Sequence, residues 1–318
     1  MRPALLAAAS VAPVSAISRN SLAERANSFD AVSLAQCRSL GVLADTSQET
    51  RPVPLVRPPR TRRRPSPRTG PESAMNVPSR QRELHLEPGF LEADFVAEYS
   101  KETAKFPVEF RPVLQFVAGH LHAVGETDVL EIGPGPGWMA ILLAKSHPGV
   151  HVSGIDVSLP FVEQACENAV RAGVADRVRF AVGDAAHMDG IDDATFDVVM
   201  SNQSFHYWDA PEGVLDQIAR VLKPSGVFCI RDDRRDLNLL GKAQVLLGRC
   251  FLSRRIGSSW ARSVSGCFTP DEAEAILERS QLRGRWEMTC TPRTLLVTGH
   301  AARAATEMPL EPAASAEG

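Results

Sequence analysis

The chain has 318 residues, enough for one large domain or two small ones. Its net charge of −3 hides an asymmetry: residues 1–82 carry 13 Arg, no Lys and 5 acids, a balance of +8, whereas residues 83–318 carry 22 Lys+Arg against 33 Asp+Glu, a balance of −11. An acidic body argues against a nucleic-acid partner, which demands a basic face to replace phosphate counterions, and no apolar run reaches the roughly 18–20 residues that span a bilayer.

Residues 1–82 read as a separate extension. The stretch "RPVPLVRPPRTRRRPSPRTGP" is too rich in Pro and Arg to bury a core, so disorder is expected there. The first twenty residues are also Arg-bearing, rich in Ala and Ser and free of acids, the make-up of an organellar transit peptide, which stands as the minority alternative. The six cysteines, at 37, 166, 229, 250, 267 and 290, include no C-x-x-C pair. They read as reduced, packed thiols of a reducing compartment, the cytoplasm.

A single folded domain is expected over 83–301, followed by a flexible tail at 302–318. "FLEADFVAEYSKETAKF" and "FRPVLQFVAGHLHAV" space their apolar residues as amphipathic helices do. Strands and helices then alternate. "DVLEIG" predicts a buried strand, Trp138–Lys145 a helix, "VHVSGID" a strand, Leu159–Ala172 a helix and "RVRFAVG" a third strand. "FDVVMSN" predicts a strand, Pro211–Leu222 a helix and "GVFCIRD" a fifth strand. A largely helical stretch, Leu237–Arg254, precedes the helix of "TPDEAEAILERS", with Thr269 as N-cap and Pro270 at its first position. "RWEMTCT" and "RTLLVTG" close the domain as a hairpin. Such alternation implies a doubly wound α/β sheet of seven strands, mostly parallel, with one antiparallel strand from the hairpin.

In such sheets ligands bind beyond the carboxyl ends of the strands at the switch point. The turn Gly133–Gly137 in "VLEIGPGPGWMAILLAK" falls there. A dinucleotide fingerprint reads G-x-G-x-x-G; here the spacing is G-x-G-x-G, and Trp138 occupies the place of the third glycine. Glu131 ends the first strand, where a carboxylate suits a cationic ligand group rather than a pyrophosphate. Asp156 ends the second strand, where an acid accepts from both ribose hydroxyls. Asp184, after the third strand, is placed to accept from an adenine amino group. Amine, ribose and adenine together describe S-adenosylmethionine.

Five motifs, "VLEIGPGPGW", "GIDVS", "VGDAAHM", "FDVVMSNQSFHYWDAP" and "ARVLKPSG", stand in order over residues 103–300. The chain thereby resembles the class I S-adenosylmethionine-dependent methyltransferases, and within them the small-molecule branch with the ubiquinone- and menaquinone-type enzymes. The resemblance implies a Rossmann-like fold and methyl transfer to a small organic acceptor. It implies that Glu131 holds the methionine amino group and that Gly133, Gly135 and Gly137 line the methionine and sugar. Asp156 would bind ribose, Val157 would lie beside the adenine, and Asp184 with the Ala185 backbone would bind the base. Asn202, at the end of the fourth strand, would face the methyl donor. "NQSF" differs from the N-P-P-Y type of motif carried by nucleic-acid amide methyltransferases of this family.

Methyl transfer needs alignment and exclusion of water, and a general base only where the acceptor must lose a proton. His206, after the fourth strand, is the candidate base, a wall or packing role being its plainer alternative. "RDDRRD", Arg231–Asp236, reads as a solvated loop with local ion pairs. No metal is expected: His120, His122, His151 and His187 lack ligand spacing. Leu237–Phe268, together with the helices at 89–122, is expected to cap the acceptor pocket, with surplus leucines of "LNLLGKAQVLLGRCFL" facing a ligand cavity, ordinary packing against the sheet being the alternative. A non-catalytic, cofactor-binding partner protein is the alternative to an enzyme.

Overall fold

Successive buried side chains of the central strands point to opposite faces of one sheet and so divide the core between its two sides. The computed structural model describes residues 88–301; the extension at 1–82 and the tail at 302–318 lie outside the described residues. Helices α1 (Ala93–Thr103) and α2 (Arg111–Ala118) precede β1 (Thr127–Ile132), α3 (Trp138–Ser146), β2 (Val150–Asp156), α4 (Leu159–Ala172), β3 (Val178–Val182) and β4 (Phe196–Asn202). There follow α5 (Pro211–Val221), β5 (Leu222–Asp233), α6 (Leu239–Arg249), α7 (Arg254–Gly266), α8 (Pro270–Arg279), β6 (Trp286–Cys290) and β7 (Thr294–His300).

Among the described residues the strand order is β3-β2-β1-β4-β5-β7-β6. Strands β1 to β5 pair in parallel, and β7 enters antiparallel between β5 and β6, as the hairpin predicted. Leu130, Ile132, Val199, Phe228, Ile230, Leu295 and Val297 share one core cluster with α5 and α8. Val129, Val152, Val198, Met200, Val227 and Cys229 share the other with α2, α3 and α4. A strand buried on both faces has no polar side to show, which is why these segments read as near-continuous apolar runs.

Three boundaries differ from the sequence expectation. The first helix pair ends at Ala118 rather than near residue 124. Helix α5 stops at Val221, because Leu222 already adopts extended backbone and begins β5 four residues before "GVFCIRD". The expected single helix over Leu237–Arg254 is two helices. Ser253 turns its hydroxyl back to the Ile256 N–H, caps α7 and so ends the continuity with α6.

The start of α8 follows the expectation. Thr269 accepts from the Glu272 N–H while the Glu272 carboxylate accepts from the Thr269 N–H, a reciprocal capping box with Pro270 behind it. Glu272 also binds the Arg235 guanidinium, which ties this cap to the segment leaving β5. Thr269→Ala should therefore lower stability by about 1 kcal/mol. Urea unfolding of the two proteins measures it, and coincident curves would show the cap to be dispensable.

Candidate functional site

The site is built on the glycine turn between β1 and α3. Gly137 has φ +78, and a Cβ there would lie 2.6 Å from the Phe180 ring and 3.0 Å from the Ala165 Cβ. Its missing side chain lets α3 seat closely on β3 and α4, the packing role that a third glycine would serve in the dinucleotide fingerprint. Trp138 takes another part: its indole N–H donates to the Ser100 carbonyl at 2.9 Å and draws α1 over the turn. Gly135, with φ +53, has nothing nearer than the Phe161 ring at 4.0 Å, so its backbone faces open space.

Two carboxylates flank this turn. Glu131 is buried, and one of its oxygens accepts from the Ala140 N–H at 3.1 Å, in the first turn of α3. Burial pushes its pKa from the ordinary 4.5 up to about 8, the Ala140 N–H opposing and the Asp156 charge adding to the rise. Asp156 accepts from the Gly135 N–H at 3.0 Å and the Ser158 N–H at 2.9 Å. Desolvation raises it from 3.8 to about 6 against those two donors. Val157 follows with its side chain 53% exposed, an unusual state for a valine beside a buried strand end. Asp184 is exposed and accepts from the Ala186 N–H at 2.9 Å and from His187 Nδ1 at 3.0 Å, while Ala185 is buried. The topology brings all these residues to one sheet edge, at the carboxyl ends of β1, β2 and β3.

An aromatic roof closes over them; of its members the sequence offers only Tyr207, with Trp208, as a wall of the acceptor pocket, burial under the following helix being the equal alternative. The Ser158 hydroxyl donates to the Phe90 carbonyl at 2.6 Å. The Phe90 ring meets Phe95, Tyr99, Phe161 and Tyr207 at centroid distances of 5.2–6.2 Å. Burial, with the Asp156 and Asp233 charges, raises the Tyr99 phenol to about 12. Trp208 instead packs into the core against Phe205.

The carboxyl ends of β4 and β5 correct a second expectation. Arg231, Asp232 and Asp233 are buried parts of β5, not a solvated loop; only Arg234 and Asp236 form the expected local ion pair. Arg231 donates to Asn202 Oδ1 and Glu109, each at 2.9 Å, so the Asn202 amide is turned toward β5. Arg293 joins Glu109 to Asp233. The Trp260 indole of α7 also donates to Asp233, at 2.8 Å. Burial raises the Asp233 pKa although Arg293 stands beside it. Gln203 has φ +56, left-handed backbone that a non-glycine residue adopts at a cost, and it bends the chain away from β4.

That bend delivers His206 to Asp232. The Asp232 carboxylate accepts from the His206 backbone N–H at 2.8 Å and lies 2.9 Å from Nδ1. A carboxylate partner favours the tautomer with its proton on Nδ1, and Nε2 is buried. The Cys267 thiol also comes close, and one donor atom each of His206, Asp232 and Cys267 lie within 4.8 Å of one another, a nitrogen, oxygen and sulfur set of the kind that can ligate a metal. The short His206–Asp232 contact makes these two a hydrogen-bonded pair.

The cap also differs from expectation. Helix α7 faces the site through Trp260, but α6 turns Leu239, Leu240, Leu246 and Leu247 to solvent rather than toward a cavity.

Residues 130–230 match the family model described as a methyltransferase domain. Over 116 residues the chain is 39% identical to 27-O-demethylrifamycin SV methyltransferase of Amycolatopsis mediterranei (strain S699), covering 36% of this chain and 42% of that protein. Over 148 residues it is 30% identical to sterol 24-C-methyltransferase ERG6A of Gibberella zeae, covering 43% and 38%. The chain thus spans less than half the length of these curated relatives. A crystal structure from Methanococcus maripaludis, described as an S-adenosyl-L-methionine-dependent methyltransferase, shares the fold with a TM-score of 0.54 and 17% identity, over 73% of this chain and 99% of that one. Over residues 130–230 the chain is therefore similar to a methyltransferase domain, on a sheet whose fold such enzymes share.

A carboxyl with a raised folded-state pKa binds more protons folded than unfolded, so stability falls as pH rises between the two values. For Glu131 that window runs from 4.5 to about 8, and for Asp156 from 3.8 to about 6. In the ligand-free protein the melting temperature should decline across the Glu131 window, and less steeply in Glu131→Gln. Parallel melting-temperature profiles for the two proteins would overturn the raised Glu131.

Proposed function

We propose that the chain transfers the methyl group of S-adenosyl-L-methionine to a small organic acceptor. The observation that carries this reading is the pair of carboxylates, Glu131 and Asp156, on either side of the glycine turn. Both are held by backbone N–H groups, and no basic side chain of the described residues pairs with either. A site that desolvates two acids without a cation favours a ligand that brings positive charge, and this cofactor brings an ammonium and a sulfonium. When bound, it supplies a methyl group already activated for displacement.

The chain's own residues then have assigned tasks. Glu131 takes the methionine amino group, and Gly133, Gly135 and Gly137 let the backbone pass close to the methionine and sugar. Asp156 takes the ribose hydroxyls, Val157 covers one adenine face, and Asp184 with the Ala185 N–H reads the base. Asn202 stands at the strand end nearest the methyl donor. The roof of Phe90, Tyr99 and Phe161 keeps water out, where an in-line displacement gains most from fixed alignment. His206, with Nδ1 held by Asp232, takes a proton at Nε2 from an acceptor that must lose one. The relatives' names give an O-methylation of a rifamycin and a C-methylation of a sterol, both of organic acceptors rather than nucleic acid. The buried, unbridged Cys166, Cys229 and Cys267 suit a cytoplasmic protein.

Asp156→Ala should weaken S-adenosylmethionine binding by about 1.5–3 kcal/mol, the range for hydrogen bonds to a charged group. Calorimetric titration measures it; unchanged affinity removes Asp156 from the site. Detection of S-adenosylhomocysteine with a panel of small acceptors tests the transfer itself. Cofactor binding without turnover on any acceptor would favour the partner-protein alternative.

His206→Asn keeps a donor toward Asp232 and deletes Nε2. It should lower kcat by about 10²-fold or more for hydroxyl acceptors, with KM for the cofactor unchanged. Full activity in this variant would leave His206 a packing residue.

A further inference from the structure

Helix α6 is amphipathic in the inverted sense. Its packed face is made of glycine: a Cβ on Gly241 would lie 2.2 Å from the Pro292 carbonyl oxygen, and one on Gly248 would lie 2.8 Å from the Trp260 ring. Its leucines point outward. Leu239 is 86% exposed, Leu240 58%, Leu246 65% and Leu247 61%, and Phe251 just beyond the helix is 63% exposed. At about 100° per residue these five fall within one sector roughly 140° wide, together with the exposed Ala243 and Cys250. A soluble helix ordinarily turns such a stripe inward, and apolar side chains gathered on one exposed face mark an interaction site.

The charge around the stripe selects the partner. Residues 237–268 contain Lys242, Arg249, Arg254, Arg255 and Arg262 and no Asp or Glu, inside a body whose balance is −11. Arg255 is tied to Glu92, Asp94 and Glu98. Lys242 and Arg249 are exposed along one border of the stripe, and Arg254 is exposed at the start of α7. A second copy of the chain docking through this face would bring like charges together. An anionic bilayer receives the leucines and neutralises the cations at once. No helix of the described residues is long and apolar enough to cross a membrane, so the fit is to the interface plane.

We infer that α6 is an interfacial docking helix, seating Leu239, Leu240, Leu246, Leu247 and Phe251 among the headgroups of an anionic membrane with Lys242, Arg249 and Arg254 as its basic rim. The helix lies beside the β6–β7 turn through Gly241 and Pro292, at the carboxyl edge of the sheet, so docking holds the site edge toward the lipid. The inference makes no use of methyl transfer, and its test reads binding rather than turnover.

The test is co-sedimentation of the full-length protein with phosphatidylcholine vesicles containing about one third phosphatidylglycerol, against phosphatidylcholine alone. Wild type should pellet with the anionic vesicles, less with neutral ones, and less in about 0.5 M salt. Leu246→Glu/Leu247→Glu should lower partitioning at least about tenfold, and so should Lys242→Glu/Arg249→Glu. All these proteins retain the Arg-rich residues 1–82, so any loss belongs to α6. The substituted positions are exposed, and near-ultraviolet circular dichroism verifies the fold. Variants that pellet like wild type, or a wild type left in the supernatant, overturn the inference. So does a wild-type dimer in sedimentation equilibrium that the leucine variant dissolves while vesicle binding is unchanged.

Discussion

The amide of Asn168 joins the two halves of the ligand site. Its nitrogen donates to the Pro136 carbonyl in the glycine turn at 2.9 Å and to the Ser100 hydroxyl of α1 at 3.0 Å. Its oxygen accepts from Gln164 and Arg171. A buried amide bonded at both ends fixes its neighbours because every alternative arrangement leaves a polar atom stranded. Through Asn168 the turn that would hold a cofactor and the helix that roofs it cannot shift independently. Trp138 adds a second tie from the same turn to the same Ser100 residue. Tyr99, the neighbour of Ser100, thereby takes its place among Phe90, Phe95 and Phe161.

The sheet edge concentrates acids where water is scarce. Glu131, Asp232 and Asp233 are buried, and Asp156 stands beside them. They divide by partner. Asp233 meets a guanidinium and an indole N–H and so ties β5 to the β6–β7 turn and α7, while Asp232 meets the His206 imidazole that follows β4. Among the described residues, Glu131 and Asp156 meet only backbone N–H groups. Unmatched desolvation is costly to keep unless something else uses it, which separates the acids that hold the edge together from those that wait on a ligand.

The glycine turn, the strand-helix alternation and the antiparallel β7 were legible because each follows from local rules: periodicity, turn chemistry and capping. Thr269 with Pro270 and Glu272 is the sharpest case, a cap written within four residues. What escaped was set by partners distant in the chain. "RDDRRD" carries charge at every position and reads as solvated, yet its first three residues are buried against distant partners: Glu109 for Arg231, His206 for Asp232 and Arg293 for Asp233. The aromatic roof unites Phe90, Tyr99, Phe161 and Tyr207, which no single window contains. Helix α6 misled for a different reason: leucine content implies burial only if the leucines face inward, and here Gly241 and Gly248 do.

The position of β7 has a consequence for the life of the chain before it is complete. β5 is a long strand, Leu222–Asp233, and β7 pairs with it all along Val227–Asp233. β6 is made first but has no place beside β5 until β7 lies between them. A ribosome adding about 5–20 residues per second needs several seconds to pass from the end of β5 to the end of β7 and clear its exit tunnel. During that interval the edge holding Val227, Phe228, Cys229 and Ile230 offers unpaired backbone beside apolar side chains, the template on which stray strands from other chains add. Protection of the nascent protein thus falls to whatever holds that edge until its final strand emerges.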